Sequence, residues 1–506
     1  MGDTRRERGC DSRAAFCSRT STHYRDCCAQ RPIGGFITKE ETLLEAKRLI
    51  EEGNNPDAAA LLSEHLNTEF DDPRAIFLLA LSFLKTDGMG MASHLFQRAG
   101  QFNPGEPAIW HNLGKCYHEV QDNETADRYF RKALKCRPDY APAFEGLSLT
   151  AIQDGRWKEA IQFGNRGVAE DPESTNCRVN RSMAYLCQKR WIEGWRDYNE
   201  NLAKDKNRAE VIYGDEVRWD GTKGLDIVCY GEQGIGDEIS FGSCLPDLIR
   251  DCKSLTIECD GRVENLFARS FPGTEVHGTR YKKTSPPWRE EKKYDARVAI
   301  GELPGYYRLK DDDFPGTPYL VPNPEMSLQW KALLDSLGPK PKIGIAWSGG
   351  IPKTGQKRRS VTLDTFAPLF KTIDANWISL QYKEAELGDA EEKYDVKIHD
   401  WGWGNRTWNY DQTVALISQL DLVISVCTTV VHAAGGLGIE TWCLVPKVPM
   451  WRYLDSGSWF PWAKSVSLYR QSEKGNEWPI HLLVGKLRDK YGDDCVRNGH
   501  IQSQAA

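Results

Sequence analysis

The chain of 506 residues lacks the patterns that most directly identify a zinc protein or a P-loop enzyme. Its 15 cysteines include no Cys-x-x-Cys pair, the spacing that zinc sites commonly use. Many of them, such as Cys229 and Cys443, stand in apolar runs, as small buried side chains of a reducing cytosol do. No lysine follows the glycine-rich turns as in a P-loop, and no apolar signal-peptide core stands near the amino terminus. We therefore expect a cytoplasmic protein.

The sequence also has no large excess of either charge, because its 66 Lys and Arg and its 72 Asp and Glu give a net charge of only -6. This balance argues against a surface built to bind nucleic acid or anionic lipid. The uncharged stretch 422–439 is interrupted by glycines, hydroxyl side chains and His432, so it predicts a buried strand and a glycine-rich helix rather than a membrane span. The one metal-like motif, Asp311 to Asp313, lies in a loop flanked by Lys and Pro, and we interpret it as a solvated turn.

What the sequence does contain is an internal repeat. A step of 34 residues, the tetratricopeptide (TPR) period, superposes one set of alanines and one set of prolines: Ala92, Ala126 and Ala160, and Pro104, Pro138 and Pro172. Small residues let two helices approach, and proline ends the second helix of each pair. We predict about five helix pairs over residues 39–206, after a disordered segment 1–38. Such repeats either bind an acceptor or partner or only buttress the next domain.

Beyond residue 206 the helical period gives way to short apolar runs, which predict two α/β halves over 207–325 and 326–492 and a flexible tail over 493–506. The predicted strands of the first half are 225–230, 254–259 and 297–300. Those of the second half are 342–347, 377–380, 422–426 and 441–445. The proline-rich stretch 314–324 is the predicted hinge. Two facing halves of this kind bind ligands at the carboxyl ends of their strands.

Each half has a glycine-rich turn between a strand and a helix, where free backbone N–H groups attract phosphate. In the first turn, Gly231, Gly234 and Gly236 have the reverse of the dinucleotide-binding spacing, so a nicotinamide site is not indicated. Asp237 at the helix start either caps that helix or acts as a general base on a substrate hydroxyl.

In the second turn, a helix beginning at Thr428 would place Thr429 and His432 on the same face, where they could converge on an anion. The alternative for His432 is a core histidine bonded to backbone. A basic loop, 348–360, follows another strand, and it is either a solvated loop, an RNA-contacting patch or a holder for a diphosphate leaving group.

An ordered set of motifs resembles that of the TPR-linked glycosyltransferases related to the heptosyltransferase type. The motifs are Glu193 to Tyr198, Trp219 to Gly221, Gly231 to Asp237, Ala346 to Gly349, Arg359-Ser360, Ser379 to Gln381, the stretch 421–438, Trp451-Arg452 and Tyr469 to Gln471. The resemblance covers about residues 39–490. It implies a GT-B arrangement of two Rossmann-like halves and metal-independent sugar transfer from a nucleotide-sugar donor, with no further cofactor.

The same resemblance implies the roles of individual residues. Asp237 would be the catalytic base, and the donor and its phosphates would be bound by Gly234, Gly236, Ser348, Gly349, Lys353, Lys357, Arg359, Gln381, Thr428, Thr429 and His432. One position departs from the family pattern, because many relatives have an aspartate where this chain has Cys427.

The resulting hypothesis is an inverting glycosyltransferase whose acceptor is a protein, a glycan or a lipid-linked group. The competing hypothesis is a TPR scaffold with a degenerate glycosyltransferase part, which Cys427 favours. A nucleic-acid binder that uses the basic loop is a third interpretation, and the acidic balance of the chain argues against it.

Overall fold

The computed structural model describes residues 38–86, 88–204, 208–280, 285–350, 356–382, 387, 390–406, 408–472, 474 and 477–492. Three predictions lie wholly or almost wholly outside these residues: the disordered segment 1–38, the tail 493–506 and the role of Lys353. The described residues fall into two compact units, which divide between Gly105 and Glu106.

Ten helices account for the repeat region. They are α1 (Lys39–Glu51), α2 (Asn55–Thr68), α3 (Pro73–Leu84), α4 (Met89–Phe102), α5 (Pro107–Glu119), α6 (Asn123–Cys136), α7 (Ala141–Gln153), α8 (Trp157–Glu170), α9 (Thr175–Cys187) and α10 (Trp191–Glu200). Pairs α1/α2 and α3/α4 belong to the first unit, and pairs α5/α6, α7/α8 and α9/α10 to the second. The TPR-type helix pairs predicted from the period are confirmed.

The repeated residues do in the structure what their chemistry requires. The three alanines are fully buried in the second helices of their pairs, α4, α6 and α8. The prolines stand two residues beyond the ends of the same helices, where a residue without a backbone N–H cannot continue the helical ladder.

Phe130 on α6 shows how tightly one pair packs on the next. A Cβ placed on Gly114 of α5 would come within 2.6 Å of the Phe130 ring, and one placed on Gly146 of α7 within 2.5 Å. The ring therefore fills the space that two glycines leave, and it is 1% exposed. This close contact requires glycine on both sides.

Two all-parallel sheets follow the repeats. The first contains β1 (Val217–Arg218), β2 (Asp226–Tyr230), β3 (Ser254–Glu258), β4 (Glu275–His277) and β5 (Ala296–Ala299), in the order β1-β5-β2-β3-β4. The second contains β6 (Lys342–Ala346), β7 (Asn376–Ser379), β8 (Ile398–His399), β9 (Leu422–Val426), β10 (Thr441–Val445) and β11 (Val466–Arg470), in the order β11-β10-β9-β6-β7-β8.

Helices connect most of these strands. They are α11 (Ile235–Gly242), α12 (Leu245–Asp251), α13 (Glu264–Ser270), α14 (Trp288–Glu291), α15 (Pro304–Tyr307), α16 (Pro324–Asp335), α17 (Gln356–Arg359), α18 (Ala367–Thr372), α19 (Ala390–Tyr394), α20 (Gly402–Asn405), α21 (Tyr410–Ile417), α22 (Thr429–Leu437) and α23 (Ile480–Tyr491). The uncharged stretch 422–439 forms β9 and α22, as predicted. Within the described residues, we find no helix with the length and apolar character that crossing a membrane requires.

The last repeat pair shares a core with the α/β part of the second unit. The indole N–H of Trp195 on α10 donates to the carbonyl of Arg308 at 2.9 Å, and that of Trp191 donates to Asp311 at 2.8 Å. Asp311 also pairs with Lys189 at 2.9 Å, so it is engaged by the repeats. The division of the chain at residue 105 thus falls inside the predicted repeat domain rather than at its end.

We expect Gly146→Ala to lower the free energy of unfolding by about 1–3 kcal/mol through overpacking, and Phe130→Ala by about 3–5 kcal/mol through the cavity it leaves. Urea denaturation followed by circular dichroism measures both. Gly485→Ala is the matched control, since Gly485 is an exposed glycine of α23 with no described atom near its Cβ position, and it should be neutral or slightly stabilising. A Gly146→Ala protein as stable as this control would contradict the packing argument.

Candidate functional site

The two glycine-rich turns lie at the points where the strand order of each sheet reverses. In the first sheet, β2 lies between β5 and β3, and the turn with Gly231 and Gly234 follows β2. In the second sheet, the six strands have the order 3-2-1-4-5-6 of a Rossmann fold, and β6 and β9 flank the reversal. The loop with Ser348 follows β6, and Thr428 follows β9. Open parallel sheets bind ligands at these positions.

The structure brings the two helix starts into contact. A Cβ placed on Gly236 of α11 would be 2.9 Å from Oγ1 of Thr429, the first residue of α22. Glycine at 236 is therefore what allows the two halves to approach at this point. Beside the contact is a cleft of about 500 Å³ that both halves line.

Most of the predicted site residues line this cleft. They are Gly234, Gly236, Asp237, Ser348, Arg359, Gln381, Thr428, Thr429 and His432. Gly349 is not among the lining residues but packs against one of them, because a Cβ at that position would overlap the Thr428 side chain. Lys357 is exposed and is not among the lining residues.

The position of Asp237 is compatible with both predicted roles, that of a helix cap and that of a general base. One of its carboxylate oxygens accepts the backbone N–H of Gly234 at 3.2 Å, which caps α11. The other lies 2.5 Å from the guanidinium of Arg452. The side chain is 29% exposed and faces the cleft, so the two contacts fix its orientation without burying it.

The neighbouring carboxylate, Glu238, points the other way. It is fully buried, pairs with Arg280 and accepts the backbone N–H of Asp260 at 2.9 Å. Burial raises the pKa of Glu238 to about 7, partly offset by the charge of Arg280. Glu238 does not line the cleft, whereas Asp237 does. Of the two carboxylates at this helix start, Asp237 is therefore the one that can reach a substrate.

In the second half, Thr428 is the N-cap of α22 rather than its first residue. Its hydroxyl accepts the backbone N–H of Val430 at 3.3 Å and contacts the hydroxyl of Ser425 at 3.2 Å. His432 lies one turn further on, and its Nε2 is 3.4 Å from the hydroxyl of Tyr453. Thr428, Thr429 and His432 all line the cleft, but because the helix begins one residue later than assumed, their convergence on one anion stays a prediction.

His432 is neutral in this environment. Burial lowers its pKa to about 3, and the nearby positive charge of Arg452 acts in the same direction. Its Nδ1 is buried without a hydrogen-bond partner among the described residues. When Nε2 accepts from Tyr453, Nδ1 holds the proton and becomes a hydrogen-bond donor for a ligand.

Among the described residues of the basic loop, Arg359 is the cation that lines the cleft. Its side chain donates to the carbonyl of Gly349 at 3.2 Å and lies 3.4 Å from the sulfur of Met450. Ser360 lies beside it and contacts Ser348, with the two hydroxyls 3.5 Å apart. These contacts hold Arg359 at the end of β6, next to the start of α22.

Several residues of the cleft were not predicted as site residues. Among them are Arg262, Asn405, Arg406 and Arg452. Arg262 and Arg406 pair with Asp260 and Asp400, at 2.7 Å and 2.8 Å. Two of them have a signal along the chain: Arg452 stands in one of the family-like motifs, and Arg262 follows Gly261 in the turn between β3 and α13.

Unpartnered amide oxygens mark one end of the cleft. Gln381 follows β7 and Asn405 ends α20, and each is at most 7% exposed. Within the described part of the chain, their side-chain oxygens are buried without a hydrogen-bond partner, as is the hydroxyl of Tyr410. Buried acceptors of this kind are satisfied when a ligand brings N–H or O–H groups to them.

A second cavity, of about 530 Å³, adjoins the cleft on the side of the repeats. The two share six residues: Gly234, Asp237, Arg359, Cys427, Met450 and Arg452. The far wall comes from α7, α8, α9 and α10, with Trp157 and Met183 among the apolar side chains. Asp237 can thus be reached from both sides. Among the residues that the structure describes, we find no group of three or more His, Cys, Asp or Glu side chains placed to hold a metal ion.

No family model matches the chain. It is similar to Protein FlbA of Caulobacter vibrioides, with 26% identity over 456 residues, which cover 86% of this chain and 76% of that protein. It is also similar to the peroxisomal targeting signal receptor of Candida glabrata, 28% identical over 91 residues, or 18% of this chain and 15% of the receptor. Among solved structures, the TPR protein TTC0263 of Thermus thermophilus has 20% identity and a TM-score of 0.30, over 32% of this chain and 89% of its own.

The neutral state of His432 can be tested by nuclear magnetic resonance on protein with labelled histidine. We expect its imidazole signal, assigned with His432→Gln, to stay unchanged between about pH 5 and about pH 8 in the folded protein. In urea the same signal should titrate near the ordinary value of 6.5. The unfolded chain therefore binds a proton here that the folded protein does not, so this group lowers stability as the pH falls from 6.5 towards 3. A folded-state midpoint near 6.5 would contradict the buried, neutral imidazole.

Proposed function

We propose that the protein is a metal-independent glycosyltransferase that moves a sugar from a nucleotide-sugar donor to an acceptor in the cytoplasm, with its two α/β halves arranged as in GT-B enzymes. The observation that supports this most is the contact of the two helix starts. Gly236 and Thr429 meet at the reversal points of two parallel sheets, beside one cleft that holds a carboxylate and several arginines.

The donor diphosphate would lie at the start of α22. Helix starts favour anions, and the Thr428 and Thr429 hydroxyls and the neutral His432 add hydrogen-bonding groups. Arg359 on the same side supplies positive charge that can offset the charge developing on the leaving group, which is the chemistry a metal provides in other enzymes. The amide oxygens of Gln381 and Asn405 would accept from hydroxyl or amino groups of the nucleotide or sugar.

The reaction would be a single in-line displacement. The acceptor oxygen forms a bond to the anomeric carbon while the bond from that carbon to the diphosphate oxygen breaks, and the nucleoside diphosphate leaves with the electron pair. Asp237 takes the proton of the acceptor hydroxyl. One displacement inverts the configuration at the anomeric carbon.

The acceptor would approach through the second cavity. That cavity shares Asp237 and Arg452 with the cleft, and its other wall belongs to the repeats, so the repeats would contact a protein, glycan or lipid-linked acceptor. The relative from Candida glabrata carries the name of a targeting signal receptor, which is compatible with recognition of a protein partner by repeats of this type.

A non-catalytic TPR scaffold is the second candidate, and Cys427 is the observation that favours it. Its side chain is 2% exposed, and its sulfur lies 3.9 Å from the sulfur of Cys443 and 3.6 Å from the carbonyl of Leu444. The position where many relatives have an aspartate is thus occupied by a packed, uncharged side chain. A scaffold should bind no nucleotide sugar.

Donor binding distinguishes the two candidates. We expect calorimetry against a panel of nucleoside diphosphates and nucleotide sugars to identify a ligand, and Arg359→Ala to weaken it by about 1.5–3 kcal/mol through the lost charged contact. Lys357→Ala is the matched control, because this cation of the same helix is exposed and lies outside the cleft lining, and its effect should be below about 0.5 kcal/mol. Absence of any ligand in the wild type would favour the scaffold.

The base is tested with Asp237→Asn, which retains an oxygen able to accept the Gly234 N–H. We expect transfer to fall by about two to four orders of magnitude, because the amide cannot take the acceptor proton, while donor affinity stays within a few-fold of the wild type. The measurements are the initial rate of sugar transfer and donor calorimetry on the same preparation. Transfer at the wild-type rate would remove Asp237 from the role of base.

A further inference from the structure

The turn between α7 and α8 touches two of the loops that bring arginines into the cleft. The first loop contains α17 with Arg358 and Arg359, and it follows β6. The second follows β10 and contains Val448, Met450 and Arg452. Both belong to the second α/β half, whereas the turn belongs to the repeats.

Gln153, the last residue of α7, makes the contact to the first loop. Its side-chain oxygen accepts from the guanidinium of Arg358 at 3.1 Å. Its side-chain nitrogen lies 2.9 Å from Nε2 of His118 on α5, and His118 is 9% exposed. One glutamine thus joins two helix pairs of the repeats to α17, and its two hydrogen bonds determine where its side chain lies.

Gly155 makes the contact to the second loop. Its φ of +74° is one that glycine adopts readily, and a Cβ placed on it would be 3.4 Å from Cγ2 of Val448. Two residues further along that loop, the sulfur of Met450 contacts Arg359 at 3.4 Å. The two loops therefore support each other at the cleft and rest on the same turn of the repeats.

Arg358 and Arg359 are neighbours on α17, but they point to different places. Arg358 points to Gln153, and Arg359 contacts the carbonyl of Gly349 at 3.2 Å and faces the cleft. In a helix of only four residues, little within the element itself fixes such an orientation. The contact of Arg358 with Gln153 therefore adds an outside support for α17 to the contacts that Arg359 itself makes with Gly349 and Met450.

We propose that Gln153 is a positioning residue of the donor site, which orients α17 so that Arg359 faces the bound diphosphate. The part of this inference that concerns the diphosphate rests on the proposed function. The repeats are then not only a docking surface, because the fourth helix pair helps to determine the geometry of a loop in the donor-binding half. A substitution of Gln153 should therefore weaken donor binding although Gln153 does not line the cleft.

The experiment compares Gln153→Leu, Gln153→Glu and Asn176→Leu with the wild type, all as full-length proteins. The leucine variant removes both contacts, whereas a glutamate can still accept from Arg358 and from His118 with the proton on Nε2. Asn176 is the matched control, since its amide bridges α9 to Glu145 of α7 at 2.9 Å rather than to α17.

The first measurement needs no donor. Limited trypsin cleavage after Lys357, Arg358 and Arg359, mapped by mass spectrometry, reports how firmly α17 is held. We expect Gln153→Leu to speed this cleavage by about tenfold, as for the loss of one hydrogen bond to a charged group, while Gln153→Glu and Asn176→Leu stay within about threefold of the wild type. Equal cleavage in Gln153→Leu and the wild type would overturn the proposal.

The second measurement is the affinity for the nucleoside diphosphate that binds the wild type, determined by calorimetry. We expect Gln153→Leu to raise the Kd by about tenfold and Gln153→Glu to restore it, with the melting temperature of Asn176→Leu as the measure of a purely structural effect. An unchanged Kd in Gln153→Leu would contradict a positioning role. If no nucleoside diphosphate binds the wild type, the proposed function fails, and the cleavage measurement still decides whether Gln153 holds α17.

Discussion

The second unit is held together around the buried indole of Trp195. This ring is 1% exposed, with ring centroids 5.4 Å from Trp451 and 6.4 Å from Trp462 of the second half. Its N–H donates to a carbonyl of the first half, that of Arg308. One side chain of the last repeat helix therefore contacts both α/β halves. Truncating a buried ring of this size to alanine typically lowers the free energy of unfolding by about 3–5 kcal/mol, so Trp195 contributes strongly to holding the halves together.

The site inherits its geometry from that packing. Trp451, which packs on Trp195, directly precedes Arg452, and the Arg452 guanidinium lies over the Trp451 ring at 4.3 Å while it pairs with Asp237. The position of the Asp237 carboxylate therefore depends, through Arg452 and Trp451, on the position of α10. Gln153 and Gly155 extend the same dependence to the loops that carry Arg359 and Met450. The last three helix pairs and the cleft are one assembly rather than two modules joined by a linker.

The charged side chains that line the cleft are mostly arginines. Among the described residues of the lining, Asp237 is the one carboxylate, beside four arginines, and each of Arg262, Arg406 and Arg452 has a carboxylate partner within hydrogen-bonding distance. His432, in contact with the same surface, is kept neutral by burial and by Arg452. Such a lining favours an anionic ligand over a cationic one.

Strong local signals made most of the architecture predictable. The period of 34 residues identified the helix pairs, and short, largely apolar runs identified seven central strands to within about two residues. The strands that were missed are β1, β4, β8 and β11, at the edges of the two sheets. β1 and β8 have two residues each and β4 has three, too few to show a period. In β11, the exposed Ser467 interrupts the apolar run. Whether the halves form a GT-B enzyme stays a prediction.

The repeats, the two glycine-rich turns and the residues at their helix starts could be identified along the chain, because they depend on residue spacing and on backbone chemistry. Which cations enter the cleft depends instead on tertiary contacts. The fold places Arg359 and Arg452 in the lining and leaves Lys357 exposed, although the loop sequence offers no reason to separate two cations of one short helix. The direction of a side chain on such a loop depends on contacts with residues distant in the sequence, here those of Arg358 with Gln153 and of Arg359 with Cys427 and Met450, and local sequence patterns do not record those contacts.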